Sequence, residues 1–480
     1  MGRRESLSKP NIVVILADDL GYGDVSCLNS ERGKIPTPSI DRIAKQGMVF
    51  TDGHSGSSVC SPARYGLLTG RYCWRRLKAG IVNVYGPPLI SRNRMTLPRF
   101  LQEHGYRTAC IGKWHLGWFW PKDGDRVRFD RPIEDGPISR GFDYYFGVDV
   151  PNWPPYVFIK NDRTVGVPSE TMPVLKEPNM NSIPGPALPG WKLEAVLPRL
   201  TDEVCSYIAE RSKDKEPFFL YFPLTSPHTP LAVNEPWKGK SGLNLYADFV
   251  METDAMVGRV LDTLDKSGLA DNTLVVFASD NGCAPYIGVH DLEKMGHYPS
   301  ASFRGYKSDI WDGGHRVPLI ARWPDAVKPG SARGQLACLT DTMATCADIL
   351  GVRLPDDAGE DSVSILPLLQ GKDAPVREAV VHHSINGKFA IRDKQWKLVM
   401  CAGSGGWALP DSKAEKSGLP PIQLYDMASD PGETTNVRDK HPDVVKRMTK
   451  LLEKYAAGGR STPGPRQPND IAVDIRQAQK

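Results

Sequence analysis

Four short apolar runs, each closed at once by a polar cluster, limit what this chain can fold into. Ile12-Val13-Val14-Ile15-Leu16 leads to Asp18-Asp19. Residues 108–112 lead to Lys113-Trp114-His115, residues 218–222 to Thr225-Ser226-Pro227-His228, and residues 274–278 to Asp280-Asn281. An unbroken run rich in β-branched residues suits a strand buried on both faces, which cannot alternate apolar with polar. Between these runs stand stretches of helical apolar spacing at 39–45, 97–104 and 246–264, the last ended by Gly268. The alternation predicts an α/β fold, a large and mostly parallel sheet sandwiched by helices. Ligands of open α/β sheets bind outside the carboxyl ends of the strands, so the four polar clusters are expected to face one pocket.

Residues 119–200 break this rhythm with prolines, glycines and tryptophans, as in Asn152-Trp153-Pro154-Pro155-Tyr156. So long an irregular stretch is expected to be a substrate-binding excursion. From about residue 375 the pattern changes again, with antiparallel strands expected at 379–383, 389–392 and 396–400 and a closing helix at 441–456. The expected division is a main domain over 1–375, a smaller α+β subdomain with a small antiparallel sheet over 376–460, and a mobile tail over 461–480. The tail carries no apolar pattern.

Charge and cysteine usage exclude several classes. A net charge of +4 with both signs interspersed gives no footprint for nucleic acid or an anionic membrane. Nine cysteines at wide intervals, with no C-x-x-C pair, support neither a disulfide framework nor a zinc ribbon. No membrane span is expected, since no stretch approaches ~18 consecutive apolar residues. The first apolar run is too short for a signal-peptide core. A cytoplasmic protein, or a periplasmic or secreted one whose export signal lies outside this sequence, would each begin this way.

Asp18, Asp19, Asp280 and Asn281 offer hard oxygen ligands, which suit Ca²⁺ or Mg²⁺ rather than zinc. Three carboxylates about a divalent ion leave negative charge, and Arg64, Lys113 and Lys307 are candidates to reverse it for an anionic substrate. His115 and His228 can exchange protons near neutral pH. Cys60-Ser61-Pro62-Ala63-Arg64 matches the pattern C-x-P-x-R. Ser61 has no G-x-S-x-G elbow around it and reads as loop packing rather than a nucleophile.

With these segments in hand, the chain resembles the type I, formylglycine-dependent sulfatases of the alkaline-phosphatase superfamily. The likeness rests on residues 11–23, 60–71, 112–117, Pro227-His228, 279–282 and the Lys307 segment at 303–318. Leu424-Tyr425-Asp426 with Asp430-Pro431-Gly432-Glu433 is similar to the family's C-terminal signature. Asp312 departs from it, since many members have Glu before the Gly-Gly pair, and is expected to be structural. The resemblance makes residues 1–375 a catalytic sulfatase domain. It implies oxidation of Cys60 to Cα-formylglycine by a formylglycine-generating or anaerobic sulfatase-maturing enzyme. It also implies a Ca²⁺ site of Asp18, Asp19, Asp280, Asn281 and modified Cys60.

The implied reaction is sulfate-ester hydrolysis. A hydroxyl of the formylglycine hydrate attacks sulfur while Arg64, Lys113 and Lys307 spread the sulfuryl charge. His228 protonates the leaving alcohol and His115 takes a proton from the second hydroxyl, so that sulfate leaves as the aldehyde re-forms. An exo-acting enzyme on a sulfated carbohydrate, such as a 6-O-sulfated hexosamine or galactose unit, is the expected substrate reading. Trp153, His297 and Arg304 are its candidate contacts, with Trp118, Trp120, Tyr156 and Tyr298 as further wall residues. Small aryl sulfates, and phosphonate or phosphate monoesters handled by the same superfamily, remain alternatives.

Overall fold

The computed structural model describes residues 9–175, 181–410 and 418–476. Its frame is a ten-stranded sheet. In chain order the strands are β1 (Asn11–Ala17), β2 (Met48–Phe50), β3 (Arg107–Lys113), β4 (Tyr144–Val148), β5 (Ile159–Lys160), β6 (Arg163–Thr164), β7 (Phe218–Pro223), β8 (Thr273–Ser279), β9 (Leu319–Arg322) and β10 (Ser331–Arg333). Across the sheet they run β10-β2-β9-β8-β1-β7-β3-β4-β5-β6. The central five, β8-β1-β7-β3-β4, are all parallel. Antiparallel pairings bring in β9 on one side and the β5–β6 hairpin on the other.

β1 shows why the central runs are unbroken. Ile12, Val14 and Leu16 enter one apolar cluster with Phe219 and Tyr221, while Val13, Ile15 and Ala17 enter a second with Leu220, Phe222 and Phe277. Helices cover both faces. The second cluster holds Ile40 and Ile43 of α1 (Pro38–Gln46), Leu200 and Val204 of α3 (Val196–Arg211), and Phe249 and Val257 of α4 (Leu245–Lys266). The first holds Tyr65, Leu67 and Leu68 of α2 (Cys60–Thr69). Each large aliphatic side chain buried in this way contributes about 1.5–3 kcal/mol, so the sheet's centre is its most rigid part.

The irregular stretch 119–200 does more than form an excursion. It supplies β4, β5 and β6 to the edge of the main sheet. Glycine and proline around these short strands hid them from a pattern search. Beyond residue 375, β11 (Val380–His383), β12 (Phe389–Arg392), β13 (Trp396–Val399) and β14 (Gln423–Asp426) form a four-stranded antiparallel sheet. Helix α5 (Pro442–Gly458) lays Met448, Leu452 and Tyr455 against Val380, Ile391 and Leu398 of that sheet. The described part of the C-terminal tail is held rather than free, in contrast to the sequence expectation. Arg71 donates to the Pro468 carbonyl at 2.9 Å, Asp470 N–H to the Arg75 carbonyl at 2.8 Å, and Ile475 is buried. Polar contacts do most of this holding, so no apolar periodicity announced it. No helix among the described residues is long and apolar enough to cross a membrane.

Candidate active site

β1, β3, β7 and β8 end side by side, and their carboxyl ends carry Asp18-Asp19, Lys113–His115, His228 and Asp280-Asn281. The close approach of two of these ends depends on Gly112, whose φ is +141° and where a Cβ would stand 1.9 Å from the Pro223 carbonyl oxygen. Asp19 (φ 65°) and His115 (φ 52°) hold left-handed backbone conformations that non-glycine residues adopt at a cost. Both are fixed by their neighbours: Asp19 N–H donates to Asp280 Oδ1 at 3.2 Å, and His115 N–H to Asp149 Oδ1 at 3.1 Å.

Cys60 is the first residue of α2, where unpaired N–H groups and the helix dipole favour negative charge. Pro62 falls in that first turn, where a missing N–H costs little. Arg64 stands one helical turn beyond Cys60 on the same face. Its guanidinium donates to Asp280 Oδ2 from Nε (3.1 Å) and Nη2 (2.7 Å) and lies 3.3 Å from Asp18 Oδ1. Lys113 Nζ donates to Asp18 Oδ2 and Lys307 Nζ to Asp19 Oδ2, each at 2.7 Å. Ser61 is buried with its Oγ accepting from Val82 N–H, a packing role.

One ligand atom from each of Asp18, Asp19, Cys60 and His228 lies within 4.8 Å of the others. Asn281 Nδ2 donates to Asp19 Oδ1 at 2.8 Å. Among the described residues, buried Asp18 Oδ1 and Asn281 Oδ1 have no hydrogen-bond partner. Buried oxygens are seldom left without a hydrogen bond, and these two, of which Asp18 Oδ1 faces the Arg64 guanidinium at 3.3 Å, fit a hard divalent cation. His228 also reaches this group, with Nε2 3.7 Å from Asp19 Oδ2, so a nitrogen stands beside the oxygen set inferred from sequence.

Electrostatics follow from burial and these pairings. Burial alone would raise the Asp18 carboxyl, yet Lys113, His228, Arg64 and Lys307 together hold it well below the usual range. Burial pushes the Cys60 thiol up, against the pull of Lys113 and Lys307. Burial, with Lys113 and Arg64 adding to it, keeps His115 well below its ordinary value, and burial brings His228 down to about 4. Both rings have one nitrogen tied to a carbonyl: His115 Nε2 to Val82 O at 3.1 Å, and His228 Nδ1 to Thr229 O. His115 Nδ1 is buried and has no partner among the described residues.

The expected wall residues divide. Trp153 is half-buried with its ring edge-on to His115, centroids 5.2 Å apart. His297 is fully buried, Nε2 bonded to Asp24 Oδ1 at 2.8 Å and Nδ1 accepting from Lys34 N–H, so it is a packing residue and not a substrate contact. Arg304 stacks on Trp311 and donates to the Glu433 carbonyl. It faces a groove with Arg32 and Tyr298 that none of the catalytic candidates lines. Trp118, Trp120 and Tyr156 are core residues at 2%, 4% and 1% exposure. Asp149, which fixes the His115 backbone, directly follows β4 and so stands at a strand end like the other site residues, but its strand lies inside the irregular stretch 119–200.

A second charged cluster lies between the two sheets. Lys397 Nζ reaches Asp312 Oδ1 and Glu433 Oε1, each at 2.8 Å, and Arg392 pairs with Asp52. Three buried histidines join it. His54 Nδ1 is 3.2 Å from His315 Nδ1, and the His315 and His382 rings stack in near-parallel planes with centroids 3.6 Å apart. An ion lies close to the plane of each ring that ligates it, so two rings stacked this way do not share one. Asp312 is structural, as its departure from the family pattern suggested.

Comparison with known proteins agrees with this geometry. The Sulfatase family model matches residues 10–352, and the model for the C-terminal region of N-sulphoglucosamine sulphohydrolase matches residues 306–458. An N-acetylgalactosamine-6-O-sulfatase of Bacteroides thetaiotaomicron is 35% identical, covering 94% of this chain and 93% of its own. Arylsulfatase G of Rattus norvegicus is 29% identical over 93% of this chain and 86% of its own. A solved structure from work on glycosaminoglycan metabolism by Bacteroides thetaiotaomicron superposes with a TM-score of 0.82 at 34% identity, covering 93% of this chain and 99% of its own.

Proposed function

The chain belongs to the sulfatase family and is a sulfuric ester hydrolase; from that premise we propose that it removes sulfate from the terminal unit of a sulfated carbohydrate, with position 60 supplying the nucleophile. The observation that carries this reading is the convergence of Asp18, Asp19, Cys60 and His228 inside a ring of buried cations. Cys60 is the residue for conversion by a maturing enzyme to Cα-formylglycine, whose hydrate supplies a hydroxyl for attack on sulfur. Asp18, Asp19, Asp280 and Asn281, with the oxygen of the converted side chain, would hold a Ca²⁺ ion, which when bound offsets the carboxylates and polarises a sulfate oxygen.

The remaining roles belong to this chain's own side chains. Lys113, Lys307 and Arg64 hold positive charge where the sulfuryl oxygens gain negative charge, in a site with little competing water. His228 has Nδ1 fixed on the Thr229 carbonyl, so only its doubly protonated form carries a proton on Nε2 to pass to the oxygen of the departing alcohol, and the nearby Asp18 and Asp19 carboxylates favour that form. His115 has Nε2 fixed on the Val82 carbonyl, which leaves Nδ1 to accept a proton from position 60. Cys60 is only 2% exposed, which favours an exo mode in which a chain end enters the pocket. The related N-acetylgalactosamine-6-O-sulfatase supports a 6-O-sulfated galactosamine or galactose unit as that end.

The test is a panel of 6-O- and 4-O-sulfated galactose and N-acetylgalactosamine, 4-nitrophenyl sulfate and a phosphonate monoester, offered to enzyme co-expressed with a maturase. Mass spectrometry of the Cys60 peptide accompanies it. The 6-O-sulfated sugars are expected to turn over fastest. Fast aryl-sulfate turnover with no sugar turnover overturns the carbohydrate reading. An active enzyme whose Cys60 is wholly thiol overturns the assigned nucleophile.

A further inference from the structure

Six of the eleven tryptophans, Trp74, Trp114, Trp118, Trp120, Trp311 and Trp323, are each 4% exposed or less, and four more are half-buried. Trp407 is 45% exposed, and Tyr286 beside it 40%, with ring centroids 6.2 Å apart and planes tilted by 43°. The rings therefore form an open angle rather than a closed stack.

Their position is fixed by the catalytic loops. Tyr286 lies five residues past Asn281 on the loop that leaves β8, close enough to Lys307, Asp19 and Cys60 for its hydroxyl to feel their charges. The Trp407 backbone N–H donates to Ser308 Oγ at 3.0 Å and Asp309 Oδ1 at 2.9 Å, and Ala408 N–H donates to the same carboxylate at 3.0 Å. Gly406 makes this latch feasible, since a Cβ there would stand 2.4 Å from the Ser308 carbonyl oxygen. Trp407 is thus tied to the residues that follow Lys307 directly.

We propose that Tyr286 and Trp407 form an aromatic platform that binds the sugar ring carrying the sulfate and so sets substrate preference. This rests on the carbohydrate reading above. A galacto-configured ring gathers the hydrogens of C3, C4 and C5 on one face, and such a C–H face suits the negative π-face of an aromatic ring. A sulfate on the 6-position hangs from an exocyclic carbon, so the ring stands back from the anion pocket by one carbon and one oxygen. Such a ring needs its support beside the cations rather than among them, and Trp407 is anchored on Ser308 and Asp309, directly beyond Lys307. A 4-O-sulfate lacks the extra carbon and would draw the ring off the platform.

The experiment measures KM for a 6-O-sulfated N-acetylgalactosamine and the inhibition constant of inorganic sulfate, which occupies the anion pocket alone. In Trp407→Ala, KM is expected to rise ~10-fold or more while the sulfate constant stays within ~2-fold, and Trp407→Phe is expected to recover most of the loss. An equal rise in both constants means that Trp407 acts by holding the Ser308–Asp309 turn, and overturns the platform. Sugar kinetics unchanged in Trp407→Ala overturn it as well. A wild-type enzyme that cleaves 4-nitrophenyl sulfate and no sulfated sugar removes the carbohydrate reading itself, a result separable from either.

Discussion

The protein buries two sets of charges built from the same parts, and they are organised in opposite ways. Beside Cys60, Asp18, Asp19 and Asp280 face Arg64, Lys113 and Lys307. Between the sheets, Asp52, Asp312 and Glu433 face Arg316, Arg392 and Lys397. In the first set the carboxylates converge and two buried oxygens have no hydrogen-bond partner among the described residues, while Tyr286 nearby is 40% exposed. In the second, cations cross-link acids carried by different elements, tying the Asp312 segment to β12, β13 and the Glu433 turn. One set is shaped to receive something, the other to keep segments in place. In both sets each acid is paired with a cation; what separates them is that Asp18 and Asp19 converge on Cys60, whereas the acids of the second set are spread over separate segments.

The sharpest way to break this comparison is to neutralise one acid in the first set. Asp280→Asn is expected to cut kcat at least ~10³-fold, through loss of charge where the proposed cation and sulfuryl group would be held. The thermal midpoint should fall less than in Lys397→Met, because relief among three crowded carboxylates offsets the weaker acceptor left to the buried Arg64. A large fall in the midpoint would make that site a brace too.

Next in size is the opposite experiment. Lys397→Met leaves Asp312 and Glu433 buried without their shared cation and is expected to cost about 3–5 kcal/mol in denaturant unfolding. Adding Glu433→Gln should recover part of this, since the two residues act through one contact. A loss below ~1 kcal/mol would show that the second set is not a brace.

The smallest effect is in pH. Burial holds His54, His315 and His382 below the ordinary 6.5, with neighbouring cations such as Arg392 and Lys397 adding to the shift. The unfolded chain then binds more protons than the native one below that pH, so stability falls as pH drops through 6.5. The slope is up to ~1.4 kcal/mol per pH unit for each histidine. Asp52 and Asp312, which face the same rings, pull the other way without cancelling burial. His382→Gln is expected to make the slope shallower by up to one proton below ~6.5, on top of a pH-independent loss from its broken stacking on His315. An unaltered slope would mean that His382 takes up its proton in the native state.

What the sequence revealed follows the same division. The central strands were legible because burial on both faces demands unbroken apolar runs, and the catalytic clusters were legible because they stand at the ends of those runs. The brace was not legible. His382, Arg392 and Lys397 lie within strands, where a polar residue normally marks the solvent face, and their partners are far away in sequence. His297 differs for a related reason: it is a candidate sugar contact by residue type alone, while its ring is buried against Asp24. Tyr286 had a faint signal in its distance from Asn281, and Trp407 had none, since only folding sets it beside Ser308.

Cys60 sits at the start of α2, 2% exposed, roofed by loops from several strands. A thiol at that depth is out of reach of another enzyme's active site once the sheet has formed. The conversion proposed for it therefore belongs to the interval when residues 60–64 are still an extended peptide. Activity then depends on a race between two processes acting on the newly made chain, oxidation of one side chain and closure of the fold around it. Rapid production in a host with little maturase would give a soluble, well-folded and inert population, in which the fraction converted records which process finished first.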